Sequence, residues 1–266
     1  MKRSRMESAL ESFSREALAA FVAANLNHLF EEEALAILRN HHVTPQICQQ
    51  IARSARLTAF YSVRLRLVAH RQTPQAHAVK LVHYLHWFDL LRLSVDVKVP
   101  PTVRRAIDQL LLTNVSRLSV GERVASARRC NGTLAKALMF DPDLSVFEAL
   151  LTNARLREED LVALASSPRA TPEQLRMLSY DRKWSYRYAI RKALVLNPST
   201  PRATAASQLR HLRRVDLREI HGNPATSTYL RRCIERVIQS RPSASLRTGS
   251  DGEGSPGPGD PSLRSG

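Results

Sequence analysis

The feature that most constrains this chain is that it matches itself. At an offset of 127, residues 31–111 fall on residues 158–238 without a gap, with 19 identities over 81 positions, where chance gives about five. Glu31-Glu32 falls on Glu158-Glu159, Thr44-Pro45 on Thr171-Pro172, and Tyr61 and Arg64 on Tyr188 and Arg191. Thr73-Pro74 falls on Thr200-Pro201, Asp89-Leu90 on Asp216-Leu217, and Arg104-Arg105 on Arg231-Arg232. A shorter period lies inside the duplication. The pattern apolar-Arg-x-x-apolar occurs at Val63-Arg64, Val103-Arg104, Ile190-Arg191 and Leu230-Arg231, with a degenerate copy at Val146-Phe147. Its second positions, 64, 104, 147, 191 and 231, lie 40 to 44 residues apart. With a further unit around Phe21, the chain reads as two duplicated three-unit blocks, about six units in all. In such an array each unit buries itself only against its neighbours.

The local chemistry specifies helices. Thr-Pro occurs at 44–45, 73–74, 171–172 and 200–201. Thr is an N-cap whose side chain accepts from first-turn amides, and Pro fits the first helical position. After Pro74, Ala78, Val82 and Leu85 share one helix face; after Pro201, Ala205, Leu209 and Leu212 do. The acidic runs Glu31 to Glu33 and Glu158 to Asp160 suit helix N-termini. Most units are expected to hold two principal helices and a short connecting turn, near 89–95 and 215–220. Aromatic content of 6% and only three glycines before residue 240 argue against a β-fold. The expected layout is a flexible basic N-terminus over 1–14 and an array over 15–239. Its blocks, about 15–113 and 140–239, are joined by 114–139. A Ser/Gly/Pro-rich tail over 240–266 is expected to be disordered.

Units of 40–44 residues with a Val-Arg-x-x-apolar second helix resemble HEAT and armadillo repeats. Asn197-Pro198-Ser199-Thr200-Pro201 also resembles the variant leucine-rich repeat. The resemblance covers roughly residues 15–239 and implies an all-α fold, a right-handed α-solenoid of about six HEAT-like units. In those families the repeated Arg ties one unit to the next through an acidic partner. The resemblance therefore implies structural roles for Arg64, Arg104, Arg191 and Arg231, with Asp89 and Asp216 as partners. Some variant leucine-rich repeat proteins carry an iron–sulfur cluster on an N-terminal cysteine group. Here only Cys48 lies near the N-terminus, so no cluster and no other cofactor is expected.

No catalytic constellation is evident. There is no Gly-rich phosphate loop, G-x-S-x-G, H-E-x-x-H or C-x-x-C. His70, His77, His83 and His86 lie close together, but their duplicates are Asn197, Thr204, Arg210 and Arg213. That reads as a polar face rather than a metal site. Cys48, Cys130 and Cys233 are few and far apart, which suits a reducing, cytoplasmic setting. No apolar run reaches the length of a membrane span.

The formal charge is +16, and 34 of the 40 cations are Arg. A GC-rich genome would produce the same bias, but so would an anionic partner. If one Arg per second helix is structural, Arg105, Arg187, Lys192 and Arg232 are left to form a basic stripe. Trp87, which falls on Arg214, is either an aromatic anchor beside it or a ring packed over a helix end. Trp184 falls on Leu57 and reads as a filler at a unit junction. The reading is a non-enzymatic protein–protein interaction scaffold with an acidic partner and no small-molecule substrate. The alternative is nucleic-acid binding through phosphate contacts. HEAT-like DNA glycosylases show that such arrays can act on DNA, but no aromatic pocket around a catalytic Asp can be placed here.

Overall fold

The computed structural model describes residues 8–240. The expectations for residues 1–7 and 241–266 lie outside the described residues. Within them the chain is all-helical, with no strand. Residues 8–12 form α1. Then come α2 (Arg15–Asn25), α3 (Glu31–Arg39), α4 (Pro45–Arg53), α5 (Ala55–Ala59), α6 (Tyr61–Ala69), α7 (Gln75–Val82), α8 (Trp87–Ser94) and α9 (Pro101–Asn114). After a 3-10 turn at Val115–Arg117 follow α10 (Val120–Ala127), α11 (Gly132–Leu138) and α12 (Leu144–Leu151). The rest are α13 (Glu158–Ala165), α14 (Pro172–Tyr180), α15 (Tyr188–Leu196), α16 (Arg202–Leu209), α17 (Arg214–Gly222) and α18 (Thr228–Ser240). No helix among the described residues is long and apolar enough to cross a membrane.

The duplication is built into the helices. α3, α4, α6, α7, α8 and α9 start at 31, 45, 61, 75, 87 and 101, and α13 to α18 start at 158, 172, 188, 202, 214 and 228. Every pair of starts differs by 127. The packing is duplicated with them. α3 against α6, α6 against α7, α7 against α9 and α8 against α9 recur as α13 against α15, α15 against α16, α16 against α18 and α17 against α18. The principal contacts join helices no more than three positions apart in the chain.

Three expectations are corrected. Segments 89–95 and 215–220 are not connecting turns: α8 and α17 are full helices, because Leu90, Leu91 and Leu93, or Leu217 and Ile220, must be buried against α9 and α18. Thr44 and Thr171 cap α4 and α14 through Ile47 N (3.4 Å) and Gln174 N (3.2 Å). Thr73 and Thr200 do not cap: they are buried, and their helices begin one residue after the proline. The packed chain also begins before residue 15, since Leu10 is fully buried.

A second device repeats at the helix ends. The last carbonyls of a helix have no partner within it. Asn153 donates from Nδ2 to Ala127 O (2.8 Å) and Cys130 O (3.1 Å), and its Oδ1 accepts from Arg155 N (2.8 Å). Asn197 does the same with Ala165 O (2.7 Å), Ser167 O (3.0 Å) and Ser199 N (2.9 Å). Asn40 does so with Leu10 O (2.8 Å), Phe13 O (3.0 Å) and His42 N (2.6 Å). All three asparagines are buried and satisfy both sides of the amide. Removing one orphans two carbonyls, so Asn153→Ala or Asn197→Ala should each cost about 2–4 kcal/mol. Asn→Asp should not restore stability, because a carboxylate cannot donate. Asn223→Ala, at an exposed corner, should cost less than about 1 kcal/mol. Urea denaturation of the three variants checks the order.

Candidate functional site

The arginines of the repeat do not pair with the expected aspartates. Asp89 accepts the Tyr61 hydroxyl and Arg92 (3.0 Å). Asp216 accepts the Tyr188 hydroxyl and Lys192 (2.7 Å). His86 N and Arg213 N, also 127 apart, each donate to the respective tyrosine oxygen at 3.1 Å. The two aspartates thus tie α6 to α8 and α15 to α17 through tyrosine. The repeat arginines turn to carbonyls and rings instead. Arg191 Nε donates to Ser185 O (2.7 Å), and Arg231 to Asn223 O (3.0 Å) and Pro224 O (3.1 Å). Arg64 lies over the rings of Tyr61 and Tyr84, at 5.7 and 5.9 Å. Arg64, Arg104 and Arg231 each keep a buried Nε without a hydrogen-bond partner among the described residues.

The residues proposed for a basic stripe are not brought together. Lys192 is held by Asp216 and by Glu219 (3.1 Å), so its charge is matched. Arg187 lies 3.7 Å from Glu158 and over the Tyr186 ring. Arg232 is exposed on α18. Trp87 is half-buried, and its Nε1 donates to Ser126 Oγ (2.7 Å), so it fastens α8 to α10 rather than standing free. Trp184 is buried, with Nε1 on Leu151 O (3.2 Å). Arg105 alone of the five lines a cavity.

That cavity is the largest described, about 1020 Å³. It is walled by the start of α9 (Pro101, Arg104, Arg105, Asp108), the start of α11 (Asn131 to Thr133, Lys136) and the turn into α13 (Ala154 to Arg157, Asp160). A second hollow of about 400 Å³ adjoins it, lined by Phe88, Asp89, Leu91, Arg92, Val95, Arg129 and Arg155. The two share Val95 and Arg155 and form one trough. Its carboxylates are occupied. Asp89 holds Tyr61 and Arg92; Asp108 accepts from Asn131 Nδ2 (2.6 Å); Asp160 lies 3.8 Å from Lys136. Burial raises the Asp108 carboxyl above its ordinary value, against the Asn131 bond and the Arg104 charge that lower it. Arg105, Arg129, Arg155 and Arg157 have no carboxylate within ion-pair distance among the described residues. All four are exposed.

Sequence reasoning missed Arg129, Lys136, Arg155, Arg157 and Phe88 as site residues. The first four lie in 112–157, outside both aligned copies, where the internal comparison is silent. The segment 114–139, read as a joiner, is folded: α10 and α11 pack on α12, and α11 on α9. The trough exists because this segment stands between the blocks.

Burial pushes the Cys48 thiol up to about 11 and the Cys130 thiol up to about 12, so neither is ionised near neutrality. No three His, Cys, Asp or Glu side chains converge on a possible metal position among the described residues. His83 and His86 are exposed, and His86 stacks on Tyr61 at 4.3 Å. His70 occupies the corner that Asn197 fills in the second block, accepting from Gln72 N (3.2 Å). Searches of family models, curated proteins and solved structures each found no match.

The Tyr188–Asp216–Lys192 clamp gives a pH test. The Lys192 bond, then the Tyr188 bond, hold the Asp216 carboxyl below its ordinary 3.8. A depressed folded-state value means stability that is present above 3.8 and lost as pH falls through the folded value. Lys192 is raised above 10.5, first by Asp216, so its share is present below 10.5 and lost above it. Asp216→Asn should lower Tm between about pH 5 and 9. The gap to the parent chain should shrink toward pH 3. Thermal unfolding across that range checks it.

Proposed function

We propose that this chain is a non-enzymatic interaction scaffold, a right-handed α-solenoid of about six HEAT-like units that receives an acidic segment of a protein partner. The observation that carries the reading is the trough, where four arginines stand without carboxylates while every carboxylate present is engaged. Guanidinium groups favour carboxylate partners that can meet them fork to fork. The 127-residue duplication of helices and contacts supports the solenoid, and unit spacing near forty supports the HEAT-like description.

Nucleic acid is the second reading, because the same arginines suit phosphate. It fits less well. A phosphate backbone needs cations along its path. Here two of the cations expected to form a stripe are already matched, Lys192 by Asp216 and Glu219 and Arg187 by Glu158.

A titration decides between them. Polyglutamate, duplex DNA and single-stranded DNA and RNA are offered at several salt concentrations. Polyglutamate should bind in a way that Arg105→Glu and Arg155→Glu together weaken at least about tenfold. Tighter binding to nucleic acid, with a log K against log salt slope steeper than about −3, would reverse the choice.

A further inference from the structure

We infer that the trough reads a two-part peptide segment: one apolar side chain seated at Phe88, joined to a run of carboxylates that meets Arg155, Arg105 and Arg157. The inference rests on the scaffold reading and adds what the partner segment must look like.

The first support is the trough's asymmetry. Its smaller hollow holds one exposed aromatic, Phe88, beside Leu91 and Val95 and is rimmed by Arg92, Arg129 and Arg155, while its larger one holds Arg105 and Arg157, with Val95 and Arg155 common to both. A ligand spanning both needs an apolar end and an anionic end. Two joined hollows also suit an elongated segment better than a compact ion.

The second support is how Phe88 is held. It is 50% exposed, in a helix whose Leu90, Leu91 and Leu93 are each 3% exposed. Its neighbour Trp87 is fastened to Ser126 at 2.7 Å, which sets the roll of α8 and leaves Phe88 in the trough. A ring held this way loses little freedom when it is covered, so covering it favours binding.

The third support is the internal copy, which lacks the device. The equivalents of Phe88 and Arg92 are Val215 and Glu219, and Glu219 pairs with Lys192. Arg129, Arg155 and Arg157 lie outside both aligned copies. The second block therefore builds no second trough, and each chain should take one peptide.

Fluorescence anisotropy with synthetic peptides tests this. One peptide carries a tryptophan, a short spacer and a run of glutamates. A second has the reverse order, and in controls serine replaces the tryptophan. The better of the two orders should bind one peptide per chain, about tenfold tighter than its serine control at physiological salt. Phe88→Ala should abolish that difference and leave the control's affinity unchanged. Arg155→Glu should weaken all the peptides, and Arg105→Glu, on a different helix, should do the same if the first variant unfolds. Equal affinity for tryptophan and serine peptides in both orders, with Arg155→Glu still weakening them, would overturn the two-part segment and leave the scaffold reading standing. No binding by any acidic peptide, or tighter binding of a single-stranded oligonucleotide of equal charge, would overturn both.

Discussion

Apart from α9 and α18, no helix among the described residues exceeds 11 residues, so a large share of the backbone lies at helix ends, where carbonyls have no helical partner. The fold depends on how those ends are satisfied. At Asn40, Asn153 and Asn197 one amide donates twice to the end of an earlier helix and accepts from the chain two residues on. That links neighbouring units by polar bonds inside an otherwise Leu, Ala, Val and Ile core. Burial alone would let helices slide or rotate; paired carbonyls do not. The acceptor half of the same turn recurs at Asp96, Asp141, Ser167 and Asn223, which accept the local amide; Asp141 also pairs with Arg123 (2.7 Å). The corners thus hold the array in register and leave side chains between them free to vary.

The charged residues divide along the same lines. Tyr61 with Asp89, and Tyr188 with Asp216, fix the relation of two helices within a unit group and consume the carboxylates that the repeat arginines would otherwise have met. The arginines turn to carbonyls and rings, which is structural work with no ionic partner. Cations not used in this way are conspicuous only where several converge, and that happens at the block junction. There α10 and α11 stand between the two copies, and the cleft beside α9 opens into the trough.

The duplication was legible in nineteen identities, and twelve helix starts obey its offset, but α8 and α17 read as turns in the sequence. The corner device was not. Residues 40 and 167 are Asn and Ser, 54 and 181 are Ser and Asp, 70 and 197 are His and Asn, and 96 and 223 are Asp and Asn. Each pair performs one acceptor role with different atoms, for example Ser54 Oγ toward Leu57 N and Asp181 Oδ1 toward Trp184 N. A comparison that counts identities sees nothing there. Arg129, Lys136, Arg155 and Arg157 were hidden for another reason: they fall in 112–157, a stretch without an internal copy, while Phe88 lies inside a copy that places Val215 opposite it.

The sequence by itself determined an all-helical chain with two matched sets of helices, because hydrophobic spacing, proline placement and self-similarity are properties of the order of residues. Only the tertiary structure decided which polar groups meet. Asp89 and Asp216 were within reach of several cations in any plausible arrangement of helices, and the geometry gave them to tyrosines. Arg105 lies fifty or more residues before Arg155 and Arg157, and their shared cavity is a consequence of how α9, α11 and the turn into α13 pack. Pairwise electrostatics act over a few ångströms, and that distance is set by packing rather than by position in the sequence.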